Sequence, residues 1–314
     1  MTPCFPRLAA AVVLAIAARS ASCAEAPATI TRDARGCGVV NLNPKAGESI
    51  TWSGACQDGL AEGSGLLQWR QGETLGASYS GRLSAGKQTG QGIETFTSGD
   101  RYEGNFVDGR RSGHGVFTWP GGLRYEGDFV DGQRSGHGSF DMGGGLRYDG
   151  AFERGDMSGQ GTLTFLGARI EGTFVRGRLD GPAVLVRKEA DGESRLPLDV
   201  GAVPAAAEAP ASGAASAPVP TYPRIDVATK CRPQYPPMAL RTQAMGRTDL
   251  ALLVDPYGQV LRARLVHSSG SDFAHGLLDL SALLSLVGCP VETSRVPGQS
   301  AERWIKIAYQ WRLE

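Results

Sequence analysis

The chain has 314 residues, a length that favours about two domains. Its 32 Lys and Arg are matched by 32 Asp and Glu, and no Lys/Arg-rich run appears. That balance excludes the electrostatic footprint of a nucleic-acid binder, so no nucleic-acid partner is expected. The 44 Gly sit mostly between Gly54 and Gly181 and belong to one architecture rather than to general flexibility.

Residues 1–24 have the three parts of an export signal. Arg7 supplies positive charge, and Leu8 to Ala18 is an apolar run too short to span a bilayer comfortably. Ser22 and Ala24 give a small-x-small cleavage site before Glu25. The competing readings are an uncleaved membrane anchor and lipidation at Cys23, which lacks the usual Leu three residues before it. Export leads to an oxidising compartment, where Cys37, Cys56, Cys231 and Cys289 remain after cleavage. Four cysteines allow three pairings. Closeness along the chain favours Cys37–Cys56 and Cys231–Cys289. A metal site is the competing reading, against wide spacings and no nearby His in a ligand pattern.

After an N-terminal segment, residues 25–49, a repeat begins. Tyr79, Tyr102, Tyr125 and Tyr148 follow one another at 23-residue intervals, Ile170 continues the series, and Trp52 opens a looser first copy. The Gly two residues on is always present: Gly54, Gly81, Gly104, Gly127, Gly150 and Gly172. A later Gly-x-Gly recurs in five copies, while the sixth keeps only Gly181 before Pro182. Each copy alternates with period two on either side of a turn such as Asp108-Gly109, which predicts a β-hairpin. One hairpin cannot bury its apolar face alone, so stacking is required, with atypical ends. The phrase Tyr-Glu-Gly-x-Phe-x-x-Gly-x-x-x-Gly-x-Gly over residues 50–186 resembles the MORN repeat. The resemblance implies an elongated β-hairpin solenoid used for association or scaffolding, with lipid contact proposed for some arrays.

Several polar residues of the array invite a chemical reading. His114 and His137 fill the slot that Gln91 and Gln160 fill in other copies, which fits an exposed repeat position better than a catalytic base. Asp108, Glu126, Asp131 and Asp149 read as a solvated face. Past Val186 the period stops. Residues 187–221, with the low-complexity run Pro204 to Pro220, predict a Pro/Ala-rich tether that lets a second domain reach away from the first.

From Tyr222 the chain reads as a small α+β unit. Leu250 to Val254 and Val260 to Val266 predict a hairpin about the turn Asp255-Pro256-Tyr257-Gly258. Residues 268–272 offer a helix N-cap, and Phe273 to Val287 is apolar at helical spacing with Gly288 as a stop. Met238 to Met245 is a short helical candidate. Ile305, Ile307, Tyr309, Trp311 and Leu313 form one face of a last strand. This order, with Tyr235-Pro236, Asp-Pro-x-Gly-x-Val and Ser268-Ser269-Gly270, resembles the C-terminal domain of TonB, the periplasmic energy transducer, over residues 222–314. Leu278-Asp279 resembles the family's Leu-Asp, set a few residues late. The aromatic residues that commonly come after the helix are replaced by Cys289-Pro290.

The resemblance implies a periplasmic module that captures an extended peptide of an outer-membrane receptor by strand addition. The expected edge is Glu302 to Arg312, with Arg303, Trp304, Lys306, Gln310 and Arg312 as contacts. The expectation is a mostly β envelope adaptor, a MORN-type solenoid followed by a TonB-like α+β domain, with protein partners. The alternative is a membrane-anchored, TonB-type energy-transducing transport component. No Ser/His/Asp cluster, phosphate loop or metal spacing is found, and His267 lies in the Ser-Ser-Gly turn, so neither catalysis nor a cofactor is expected.

Overall fold

The computed structural model describes residues 28–200 and 231–313, apart from 166, 190–191, 237–238, 241, 256, 271–272, 288 and 290–301. The export signal, Cys23, the run Pro204 to Pro220 and the Gly288 helix stop lie outside the described residues. Among the described residues no helix is long and apolar enough to cross a membrane.

The chain is mostly β and the sheet does not close. Nineteen strands and one helix are described. β1 (Thr29–Arg32) and β2 (Gly38–Asn41) pair with each other at the N-terminal end. β3 (Glu48–Trp52) and β4 (Ala55–Gln57) both pair with the long β5 (Leu60–Gln71). From β5 the strands run as a meander, each antiparallel to the next. These are β6 (Thr74–Ser84), β7 (Lys87–Thr95), β8 (Arg101–Val107), β9 (Arg110–Thr118), β10 (Arg124–Val130) and β11 (Gln133–Asp141). They continue through β12 (Arg147–Glu153), β13 (Asp156–Phe165), β14 (Ala168–Val175) and β15 (Arg178–Glu189) to β16 (Gly192–Val200).

The third copy shows why the sequence repeats. Within β8, Tyr102, Gly104 and Phe106 face inward and are buried. The Tyr102 ring lies across Gly104 and its cross-strand partner Gly115. A Cβ on Gly104 would stand 2.4 Å from the Tyr102 hydroxyl and 2.7 Å from the Gly115 Cα, so only glycine fits. The Tyr102 hydroxyl donates to the carbonyl of Asn105 at 3.0 Å, which satisfies a buried polar atom locally. Tyr79, Tyr125 and Tyr148 make the same bond to the third residue on, each at 3.0 Å. Each tyrosine then meets the next copy's phenylalanine edge-on, and Tyr102, Tyr125 and Tyr148 also meet their own: Tyr102 lies 5.2 Å from Phe106 and 5.0 Å from Phe129. The ladder continues from Tyr79 to Phe174. Such pairs add about 0.5–1.5 kcal/mol each beyond area burial.

The turns are moulded too. Asp108 and Gly109 both have positive φ (49° and 81°), the geometry of the tight hairpin turn that matches strand twist. The N–H of Gly109 donates to the carbonyl of Gln88 in the copy before, at 3.0 Å, so the turn itself stacks. The end copies vary the scheme in register with their side chains. Trp52 is buried over Gly54 and Gly65 in the tyrosine's place. At the other end the smaller Ile170 leaves room for Ala183 opposite Gly172.

Two differences from expectation concern the stretch after Val186. Residues assigned to the tether, 187–221, begin with strand: β15 runs on to Glu189, and β16 pairs along it from Glu189↔Gly192 to Gly181↔Val200. The last hairpin still needed a partner, and Leu196, Leu198 and Val200 alternate inward to supply one. Nor does the C-terminal unit stand apart. β18 (Val260–His267) pairs parallel with β16 at Leu198↔Ala263 through Val200↔Leu265. β17 (Gly246–Val254) pairs with β18, and β19 (Arg303–Trp311) with β17. An uncovered β16 would leave an open row of backbone groups at the end of the array, and β18 covers the part from Leu198 to Val200.

The helix α1 (Phe273–Val287) covers this end. Leu277, Leu278, Leu280, Leu283 and Leu286 are buried against the inner faces of β17 and β18 and of β15. Arg187 of β15 donates to the carbonyl of Val287 at 3.2 Å, which ties the helix end to the array. Of the expected helix over Met238 to Met245, Ala239 and Leu240 are helical and Met238 and Arg241 lie outside the described residues; Ala244 N–H donates to Ala239 O at 2.9 Å. The structure pairs Cys37 with Cys56 and Cys231 with Cys289, Cα atoms 5.6 and 5.9 Å apart.

Candidate binding surfaces

The last strand is the first candidate. Among the described residues β19 pairs with β17 alone, from Gly246↔Trp311 to Val254↔Arg303, so its other side is a sheet edge. Its inner face is fixed from within. Trp311 is buried and its indole N–H donates to Thr248 Oγ1 at 3.0 Å. Thr248 in turn donates to Asp279 Oδ1 at 2.8 Å. Asp279 is 3 % exposed. It also accepts from the Ser269 N–H at 2.8 Å and from the Ser268 hydroxyl. A buried carboxylate is tolerated because its lone pairs are met by donors of this kind.

The motif residues fall around this network. The Tyr235 ring meets Trp311 edge-on at 5.3 Å, and its hydroxyl donates to the Ala244 carbonyl. The Pro236 carbonyl accepts from Leu240 N–H at 2.9 Å. Gly270 lies under the His275 ring, where a Cβ would be 2.4 Å from the ring. Tyr235, Pro236, Ser268, Ser269 and Gly270 therefore hold β19, the first turn and α1 together; they act as staples behind the edge.

The outer face of β19 holds the residues expected to contact a partner. Trp304 is half-buried with the Arg264 guanidinium 5.4 Å from its ring centre. Lys306 and Gln310 are exposed, and Gln310 donates to the Gly246 carbonyl at 2.9 Å. Arg312 lies just past the strand end and is exposed, and Arg303 opens the strand. With Arg262 and Arg264 on β18, the face is rich in cations.

The outward face of the array is a second candidate. The third to sixth copies each place an arginine two residues before an acid on the same strand: Arg101–Glu103 at 2.6 Å, Arg124–Glu126 at 2.7 Å, Arg147–Asp149 at 2.9 Å and Arg169–Glu171 at 2.8 Å. These hydrogen bonds hold the carboxyls of Glu126, Asp149 and Glu171 below the usual carboxylate range. The pairs are exposed and each contributes little to stability. His114 is 63 % exposed, 3.8 Å from both Glu126 and Asp128. In the same slot Gln91 bonds Asn105 at 2.9 Å and Gln160 bonds Thr173 at 2.7 Å. The slot makes a cross-strand polar pair in each case. Among the described residues no group of three His, Cys, Asp or Glu side chains could hold a metal ion.

The inner face holds residues that sequence reasoning passed over. Arg111 and Arg134 occupy one slot in successive copies, with their guanidinium groups laid among aromatic rings. Arg134 lies 4.9 Å from the Phe140 centre and 5.6 Å from Tyr125, and burial lowers its pKa. Arg111 lies 5.0 Å from Phe117 and 5.4 Å from Phe96 and Tyr102, and it is paired with Glu94 at 3.2 Å. Burial raises the Glu94 pKa above its ordinary 4.5, against the pull of Arg111. The signal was present in the repeat: in the aligned copies Glu94 stands where Leu67, Phe117, Phe140, Leu163 and Leu185 stand.

No curated protein matches the chain. No TonB domain is matched. The family model for the MORN repeat matches residues 57–74, 79–101, 102–124, 125–147, 148–165 and 171–188, and these six stretches are MORN repeats.

Proposed function

We propose that the protein is an exported binding adaptor of the cell envelope. Its C-terminal unit takes an extended peptide by strand addition at β19, and its MORN array holds a second partner. The MORN repeats support a binding role. The observation that carries the peptide reading is the edge itself: β19 pairs on one side only among the described residues. Main-chain groups of such an edge supply affinity, and Trp304, Lys306 and Gln310 supply choice. The cationic outer face favours a peptide with acidic side chains. The motif residues Tyr235, Pro236 and Ser268 to Gly270, similar to those of the TonB C-terminal domain, add support, because they converge behind that edge. The proposed partner is the extended segment of an outer-membrane receptor, and the proposed role is capture without turnover.

The test is a photo-crosslinking amino acid placed at 306, at 310 and, as a control, at 154 on an array turn, in the full chain expressed in its own envelope. Adducts from 306 and 310 to an outer-membrane protein, absent at 154, are expected. No adduct at either strand position would end the strand-addition reading. Mass spectrometry of the mature chain tests export: a start at Glu25 is expected, and a retained Met1 would favour an anchored component.

A further inference from the structure

The Glu94–Arg111 pair borders a cleft of about 690 Å³ on the inner face, between the N-terminal segment and the first copies. That size is typical of small-ligand sites. Trp69, Leu75 and Phe96 form its apolar wall, and Glu94, Gln88 and Asn43 line it with polar groups. The repeats provide an internal comparison. In the slot of Glu94 every other copy has an apolar residue, and Leu67, Phe140, Leu163 and Leu185 are at most 1 % exposed. In the slot of Trp69 and Phe96, Met142 and Phe165 are buried, at 0 % and 3 % exposed, whereas Trp69, Phe96 and Trp119 stay half-open. Leu75 is 47 % exposed. Thus the mould is broken by an acid that enters the apolar column beside two half-open rings. A partly buried carboxylate beside half-open aromatic faces costs stability, against which stands the Glu94–Arg111 ion pair.

We infer that this cleft binds a saccharide ring. The chemistry is selective. Open Trp and Phe faces fit a ligand with a flat apolar side. Carboxylate and amide groups beside them fit hydroxyls, since a carboxylate accepts about four hydrogen bonds and Arg111 Nε meets only Oε2. No net charge selects an ionic ligand: the lining cations Lys45 and Arg70 are matched in number by Glu48 and Glu94. A neutral ring with one apolar face and a hydroxyl rim satisfies all three conditions. The site is on the array and does not depend on β19, so crosslinking at 306 and 310 and the sugar titration fail separately.

The test titrates the mature full chain with maltose, cellobiose and N,N′-diacetylchitobiose to about 20 mM, a range that reaches millimolar dissociation constants, by calorimetry and tryptophan fluorescence. At least one disaccharide is expected to bind. Glu94→Gln should weaken it roughly tenfold, the loss of one charged hydrogen bond. Glu126→Gln on the opposite face should leave it unchanged. Glu94→Leu with Arg111→Met restores residues the repeat itself uses at these slots; it should abolish binding and raise the Tm by several degrees. Failure of all three sugars to bind, binding that survives the double substitution, or a Tm that falls in it would overturn the inference.

Discussion

The MORN array and the C-terminal unit use opposite means to build one sheet. In the array each buried tyrosine hydroxyl is satisfied three residues on, as when Tyr102 donates to Asn105, and each tyrosine ring packs on the next copy. In the C-terminal unit the buried groups are satisfied across long loops: Thr248 and Ser269 both reach Asp279, 31 and 10 residues away. The array is thus nearly one-dimensional, and damage should stay near its copy. The C-terminal unit has one shared network, and damage should reach all of it.

The largest effect is expected where the array has least room. Gly104→Val puts a branched side chain against Tyr102 and the Gly115 backbone and should cost about 3 kcal/mol or more. Hydrogen exchange should show the loss confined to β7 through β10; loss spread evenly to β19 would break the comparison. Asp279→Ala leaves the Thr248 hydroxyl and the Ser269 N–H without their acceptor, at a cost of about 2 kcal/mol. Here exchange should rise in β17, β19 and α1 together. An effect limited to α1 would contradict a shared network.

Tyr102→Phe removes one satisfied bond and should cost about 1 kcal/mol. The same tyrosine sharpens the comparison at high pH. Burial pushes its pKa up to about 12 from 10. The native phenol holds its proton more tightly than the unfolded one, so stability is lost as pH rises from 10 through 12. Alkaline unfolding followed by tyrosine absorbance should be steep in that window. The smallest effect concerns Glu94. Its pKa lies above the ordinary 4.5, so the native chain again binds the proton more tightly, and stability falls as pH rises from about 4.5 through the folded value. The Tm of Glu94→Gln relative to the parent should climb over that range and then level off. A flat difference would show that burial does not dominate at Glu94.

Much of the architecture was legible because it is local. The Tyr-x-Gly spacing gave the copies, the alternation in Tyr102 to Val107 gave the strand, and the apolar spacing from Phe273 to Val287 gave the helix with its observed ends. The cysteine partners were legible from nearness in the chain. The edge residues Trp304, Lys306 and Gln310 were visible as the polar side of an alternating strand, and their strand is paired on one side among the described residues. The Ser-Ser-Gly and Leu-Asp motifs gave no hint that they meet in one buried network, since hydrogen bonding across a fold leaves no period.

By itself the sequence determined the repeat, the strand and turn chemistry and the helix, because glycine sterics and alternating burial act over a few residues. Only the tertiary structure decided that β16 belongs to the array and lies parallel to β18. It also decided that α1 bridges the two parts and that Glu94 faces a cleft. Those outcomes depend on which distant surfaces remain uncovered once the local elements have formed, and neither a strand edge nor a broken column has a partner written next to it in the chain.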